Sequence, residues 1–222
     1  MNNSGLRLAS ALAGIAVILA GYAFGLRNPL ASMTAYTAAL MAVNQLAPPL
    51  LLASIPRGWG RLPWLSDVVF DPAVALLCFV VLGVAVSLPS VLDPSVADAL
   101  YAAPLGLLEL VTGLMIWGQM LPATRRLAHG WQVATLVWIA SLPMGAVAVV
   151  WMLAPRVLYA PYLDVICRWD LPPLLDQKWA GLVMLAAGIP MQLAATWVLL
   201  DPGGTAGDSR PPARPHDDGV PA

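Results

Sequence analysis

Six apolar runs, most of them about twenty residues long, restrict this chain more than any other feature. They lie at 8–26, 33–55, 71–88, 102–121, 131–153 and 179–200. A hydrocarbon core of ~30 Å is crossed by about 20 apolar helical residues. Each run therefore reads as a membrane span, the third one short and extended by loop residues. Inside lipid a backbone must satisfy its own donors and acceptors, which only helices or a closed barrel achieve. Barrel strands alternate polar and apolar residues over about ten positions. These runs are apolar all round, so the expected fold is all-α: a polytopic bundle of about six transmembrane helices within residues 1–200.

Composition limits the function classes. The chain is 59% hydrophobic and 10% charged, against about 25% charged in a soluble domain. A net charge of −1 excludes nucleic acid as a partner, because a phosphate backbone calls for a basic face. The run at 8–26 follows Arg7 and is longer than a secretory h-region, so it reads as a retained first span. Residues 201–222 are polar and rich in Gly and Pro, which predicts a disordered tail. Cys78 falls in an apolar run and Cys167 in a loop, which argues against a disulfide between them.

Basic residues orient the bundle. With the N-terminus inside, Arg7, Arg57, Arg61, Arg125, Arg126, Arg210 and Arg214 are cytoplasmic, and Arg27, Arg156, Arg168 and Lys178 are outside. Seven against four predicts both termini in the cytoplasm. Trp59, Trp64 and Trp131 then mark the inner interface, and Trp151, Trp169 and Trp179 the outer one.

Three patches carry a family likeness: "LAPPLL" at 46–51, "APRVLYAPY" at 154–162 and "LLDQKWAGLVM" at 174–184. In this order they resemble the CtaG-type cytochrome c oxidase assembly proteins, over about residues 30–200. The resemblance implies a bacterial inner-membrane protein that assists copper loading of haem–copper oxidases. That family carries histidines inside its spans. The matching places here hold Tyr36 and Leu40 in the second span, Ser87 at the end of the third, and Leu105 and Gly106 in the fourth. None of these side chains replaces an imidazole nitrogen as a copper ligand. The family's "DQ…AG" is intact as Asp176, Gln177, Ala180 and Gly181. On the predicted topology Tyr36, Ser87, Gly106 and Asp176 converge on the outer leaflet.

Among polar residues within the spans, Glu109 is the sharpest, with no lysine or arginine within seven positions. A carboxyl at membrane depth faces the bundle interior. It reads either as a proton or metal contact or as a protonated group bonded across helices to Asn44, Gln45 or Gln119. Asn44 and Gln45 are neighbouring amides pointing ~100° apart on a helix, so one bonds inside the bundle and the other elsewhere. Pro48 and Pro49 should kink or end that helix. Asp176 suits the positive end of its own helix, with Arg156 or Arg168 as a partner in fixing the outer loop. The nine methionines offer soft thioethers, but they also serve as ordinary packing. Met184 and Met191 share one helix face; so do Gly181 and Gly188, which should allow close helix approach there. His129 and His216 lie on the inner side, away from any outer site.

No phosphate loop, Ser–His–Asp set or zinc motif is present, so no enzyme is expected. The function the resemblance implies is assistance to haem–copper oxidase biogenesis, with oxidase subunits and the lipid bilayer as partners. No tight copper site of the family's kind is expected without imidazoles. The alternatives are a metal-free accessory subunit of a respiratory oxidase and, less supported, a transporter centred on Glu109.

Overall fold

The computed structural model describes residues 3–55, 70–91, 93, 99–120, 127–163 and 169–200. Expectations at Arg57, Trp59, Arg61, Trp64, Arg125, Arg126, Cys167, Arg168, His216 and the tail lie outside them. The helices are α1 (Asn3–Gly21), α2 (Met33–Met41), α3 (Ala47–Ser54), α4 (Pro72–Ala85), α5 (Ala99–Met120), α6 (Gly130–Leu153) and α7 (Pro173–Leu200). No strand occurs among the described residues. The protein is an all-α, polytopic membrane protein, with five helical stretches long and apolar enough to cross a bilayer.

The fourth helix is the exception. At 14 residues α4 spans only about 21 Å, less than the ~30 Å of hydrocarbon. Asp71 caps it, accepting from the N–H groups of Ala73 and Val74. Ala75, Phe79 and Gly83 face inward at a spacing of four, while Leu77 and Val81 are exposed.

Two helices contain π turns. The first run continues past α1 through Tyr22–Leu26. The second runs from α2 through a π turn at Ala42–Leu46 into α3. Pro48 and Pro49 thus do not end this helix, which runs on through them. Proline lacks an N–H, and its ring crowds the carbonyl four residues earlier. The wider turn just before the pair relieves that conflict, with Ala47 N–H reaching back to Ala42 O. A third boundary also differs from the hydropathy reading. The last helix begins at Pro173 rather than 179, so Asp176 and Gln177 lie within its first turns.

The longest pairing is α6 along α7. Gly181 permits it: a Cβ there would lie 2.7 Å from the Ala148 carbonyl oxygen. Gly188 does not share that contact, since its Cβ position has nothing within 4 Å. The expectation that both glycines serve one close helix approach is corrected accordingly. α1 is peripheral, with Leu8, Leu12, Ile15 and Leu19 turned outward. Trp131, Trp169 and Trp179 are exposed, but Trp151 is buried, edge-on to Tyr159 at 5.6 Å. It packs the core instead of marking an interface.

Candidate functional site

One end of the bundle is closed by a set of hydrogen bonds centred on the start of α7. Ser32 is the N-cap of α2, its hydroxyl accepting from Ala35 N–H at 3.2 Å. The same hydroxyl donates to Asp176 Oδ1 at 2.8 Å. Met33 N–H donates to Asp176 Oδ2 at 2.6 Å, and Thr34 N–H to Oδ1 at 3.2 Å. Thr34 Oγ1 donates to the Asp176 carbonyl at 2.9 Å. A helix N-terminus carries unpaired N–H groups and a partial positive charge. Here the carboxylate that meets them comes from another helix, so Asp176 serves α2 as well as its own first turn.

The neighbouring Gln177 works on the opposite side. Its Oε1 accepts from Leu158 N–H at 2.8 Å, and its Nε2 donates to the Trp151 carbonyl at 3.3 Å. It thereby ties the loop after α6 to α7. Two buried tyrosines of that loop extend the closure. Tyr159 OH donates to Ser87 O at 2.7 Å, and Tyr162 OH to Pro29 O at 2.8 Å. Burial, the largest effect, pushes the Tyr159 phenol up; a hydrogen bond with Trp151 opposes this and the charge of Asp93 adds to it. Arg156 in this loop is exposed, and Arg168 lies outside the described residues.

The places expected at this end are largely sealed. Tyr36 and Leu40 are buried in one apolar cluster with Trp151, Tyr159 and Tyr162. The Ser87 hydroxyl donates back to Gly83 O at 2.8 Å, and Gly106 packs against Leu26. Among the described residues, no three histidine, cysteine or carboxylate side chains come together. His129 sits at the N-cap of α6, where its N–H donates to Gln132 Oε1.

A second polar group lies within the bundle. Asn44, in the π turn, donates from Nδ2 to Glu109 Oε2 at 2.7 Å and to the Glu109 carbonyl at 2.9 Å. Gln45 does not bond elsewhere. Its Nε2 folds back onto Asn44 Oδ1 at 2.7 Å, so the three residues form one chain. Gln119 is separate, donating to Phe70 O at 2.7 Å. Glu109 Oε1 and Gln45 Oε1 are buried with no hydrogen-bond partner. Gly113, one turn beyond Glu109, is where α5 meets this π turn: a Cβ there would collide with the Asn44 carbonyl oxygen and lie 2.9 Å from Pro48 Cγ. The "LAPPLL" patch therefore belongs to this helix crossing, apart from the closure built by "APRVLYAPY" and "DQKWAG".

Sequence reasoning singled out Asp176 and Gln177 but missed Ser32, Thr34, Tyr159 and Tyr162 as their co-workers. Ser32 did carry a signal, a serine directly before an apolar helical run. The tyrosines carried none beyond the patch itself.

The sequence model of the cytochrome c oxidase caa3 assembly factor family, Caa3_CtaG, matches residues 3–201. No curated protein and no solved structure matches the chain. With nearly its whole length matched, the chain belongs to the cytochrome c oxidase caa3 assembly factor family.

Proposed function

We propose that this family member assists the biogenesis of a haem–copper oxidase by holding a nascent oxidase chain within the membrane, through the shape of its bundle and without imidazole-borne copper. One observation supports the reading above others. Asp176 and Gln177, part of a patch that resembles the family's, make hydrogen bonds with the chain's own backbone at Met33, Thr34, Leu158 and Trp151. Residues used this way preserve a surface. The places of the family's imidazoles hold buried Tyr36 and Leu40 and the back-bonded Ser87. On the charge reading the chain sits in a bacterial cytoplasmic membrane with both termini inside, and the closed end faces outward.

The test is deletion of the chain followed by purification of the tagged oxidase. Loss of assembled oxidase, restored by the full chain, is expected, with the chain absent from the mature complex. Normal oxidase content in the deletion overturns the reading. Stoichiometric presence in the mature complex replaces it with that of a permanent accessory subunit.

A further inference from the structure

Glu109 is the only glutamate in the chain, and the helix crossing it occupies has a surplus of hydrogen-bond acceptors. Both hydrogens of Asn44 Nδ2 are taken, by Glu109 Oε2 at 2.7 Å and by the Glu109 carbonyl at 2.9 Å. A backbone carbonyl only accepts, so this contact fixes the Asn44 amide with Oδ1 facing the other way. Gln45 Nε2 donates to that oxygen at 2.7 Å, which leaves Gln45 Oε1 at the free end of the chain. Turning either amide over would set two acceptors against each other. Glu109 Oε1 and Gln45 Oε1 are thus both acceptors, buried and without a donor. The backbone adds to the surplus. Pro48 and Pro49 have no N–H to give the carbonyls of Asn44 and Gln45, four residues earlier. Against all of these stands one remaining hydrogen of Gln45 Nε2.

Charge points the same way. An ionised carboxylate inside a bundle calls for a paired cation. α5 packs against α3, α4, α6 and the two π turns, and neither α5 nor any of these holds a lysine or arginine. Arg27, just past the first π turn, is exposed. The other titratable side chains of these elements are Tyr22 and Tyr101, both exposed, and Cys78, which packs in the cluster around Phe79. None of the three supplies positive charge.

We propose that this crossing is a proton-binding site: Glu109 is held as a neutral carboxylic acid, and its Oε1–H is the donor that the crossing lacks. One proton removes the unpaired charge and an orphan acceptor together. Buried ionisable groups without a partner neutralise in this way. The proton then belongs to the joint between α5 and the second π turn, where Gly113 meets the Asn44 carbonyl. Drawing it off leaves a bare carboxylate at that joint. The inference stands on the crossing and does not require the assembly reading.

The experiment labels the site directly. Glutamate carrying carbon-13 in its side-chain carboxyl marks Glu109 alone, because the chain has no other glutamate. The full chain is made by cell-free synthesis, which keeps the label out of other residues, and is placed in lipid vesicles. At neutral pH the carbon-13 resonance should be that of a neutral acid. The infrared spectrum should show a protonated-carboxyl C=O band that the label shifts and that Glu109→Gln abolishes. The labelled wild type reads the site without any variant, so misfolding of Glu109→Gln leaves the test intact. Neither signal should change when Na⁺ is added or withdrawn. A carboxylate resonance at neutral pH overturns the inference, as does an acid band that the label does not move. A resonance or melting temperature that depends on Na⁺ also overturns it, and puts a metal cation in the proton's place.

Discussion

Ser32 Oγ and Asp176 Oδ1 lie 2.8 Å apart although 144 positions separate them in the chain. This contact makes the start of the last span the cap of the second. Asp176→Ala removes the acceptor from Ser32 Oγ, Met33 N and Thr34 N together. Hydrogen bonds to charged groups contribute about 1.5–3 kcal/mol each, and buried donors left alone cost ~1–3 kcal/mol. These are not additive, so a loss of about 2–4 kcal/mol is expected. Asp176→Asn keeps one oxygen acceptor and should fall between wild type and alanine. Thermal unfolding in detergent measures the order; an alanine variant as stable as wild type would remove Asp176 from the closure.

The fold was legible because lipid leaves few options: each apolar run had to become a helix. The details were lost where two local rules compete. Pro48 and Pro49 predict a kink or an end; the helix does not end there, because the π turn at Ala42–Leu46 accommodates the pair, and nothing in the sequence names that turn. The start of α7 was hidden because Asp176, Gln177 and Lys178 interrupt the hydropathy that marks a span. The polarity of Asp176 and Gln177 is used at the closure, which only the position of Ser32 and Leu158 reveals. Glu109 was legible as an inward-facing carboxyl, while the choice of Asn44 over Gln119 depends on how α5 crosses the π turn.

Gly181 and Gly188 separate a packing role from a surface role. Leucine at 181 must displace the Ala148 carbonyl and the Met152 side chain, both inside 3 Å of the new Cβ. Overpacking of this kind costs about 1–3 kcal/mol or more. Leucine at 188 meets nothing within 4 Å at its Cβ. Gly181→Leu should therefore lower the melting temperature clearly, and Gly188→Leu little. An equal drop in both would show that the α6–α7 crossing is set elsewhere.

Asn44 and Glu109 should behave as a coupled pair. Asn44→Leu leaves the buried Glu109 carboxyl without the Asn44 donor. Replacing both by leucine removes the orphan along with the bond, which is the less costly change. Interhelical polar pairs in membranes contribute about 0.6 kcal/mol on average and at most ~2. A double-mutant cycle should return a coupling of about 1–2 kcal/mol. Additive single changes would mean that the 2.7 Å contact contributes nothing measurable.

Tyr159 gives the closure an alkaline limit. Burial raises its phenol, so the folded state holds the proton more tightly than the unfolded chain does. Its contribution is present in full below the ordinary phenol value of about 10 and is lost as pH rises from there toward the raised folded value. Tyr159→Phe cannot ionise and also loses the bond to Ser87 O. Melting followed from neutral to strongly alkaline pH should show the variant less stable at neutrality but with a shallower alkaline decline. Parallel curves would place the alkaline sensitivity on another group.

The last prediction concerns which side of the membrane the closure faces. Seven of eleven basic residues fall on one side when the spans alternate, and positive charge is retained in the cytoplasm. A reporter fused after Leu200 should be active only as a cytoplasmic fusion. One fused after Arg156, in the loop clasped by Gln177, should be active only outside. The two ends of α7 make this pair decisive, because a single 28-residue helix separates them. At 1.5 Å per residue it extends about 42 Å, more than the ~30 Å of hydrocarbon, so the fusions cannot report the same side if α7 spans. Activity in the opposite compartments would invert the bundle, put Asp176, Gln177 and Tyr159 at the cytoplasmic face, and require any oxidase chain held there to be met from that side.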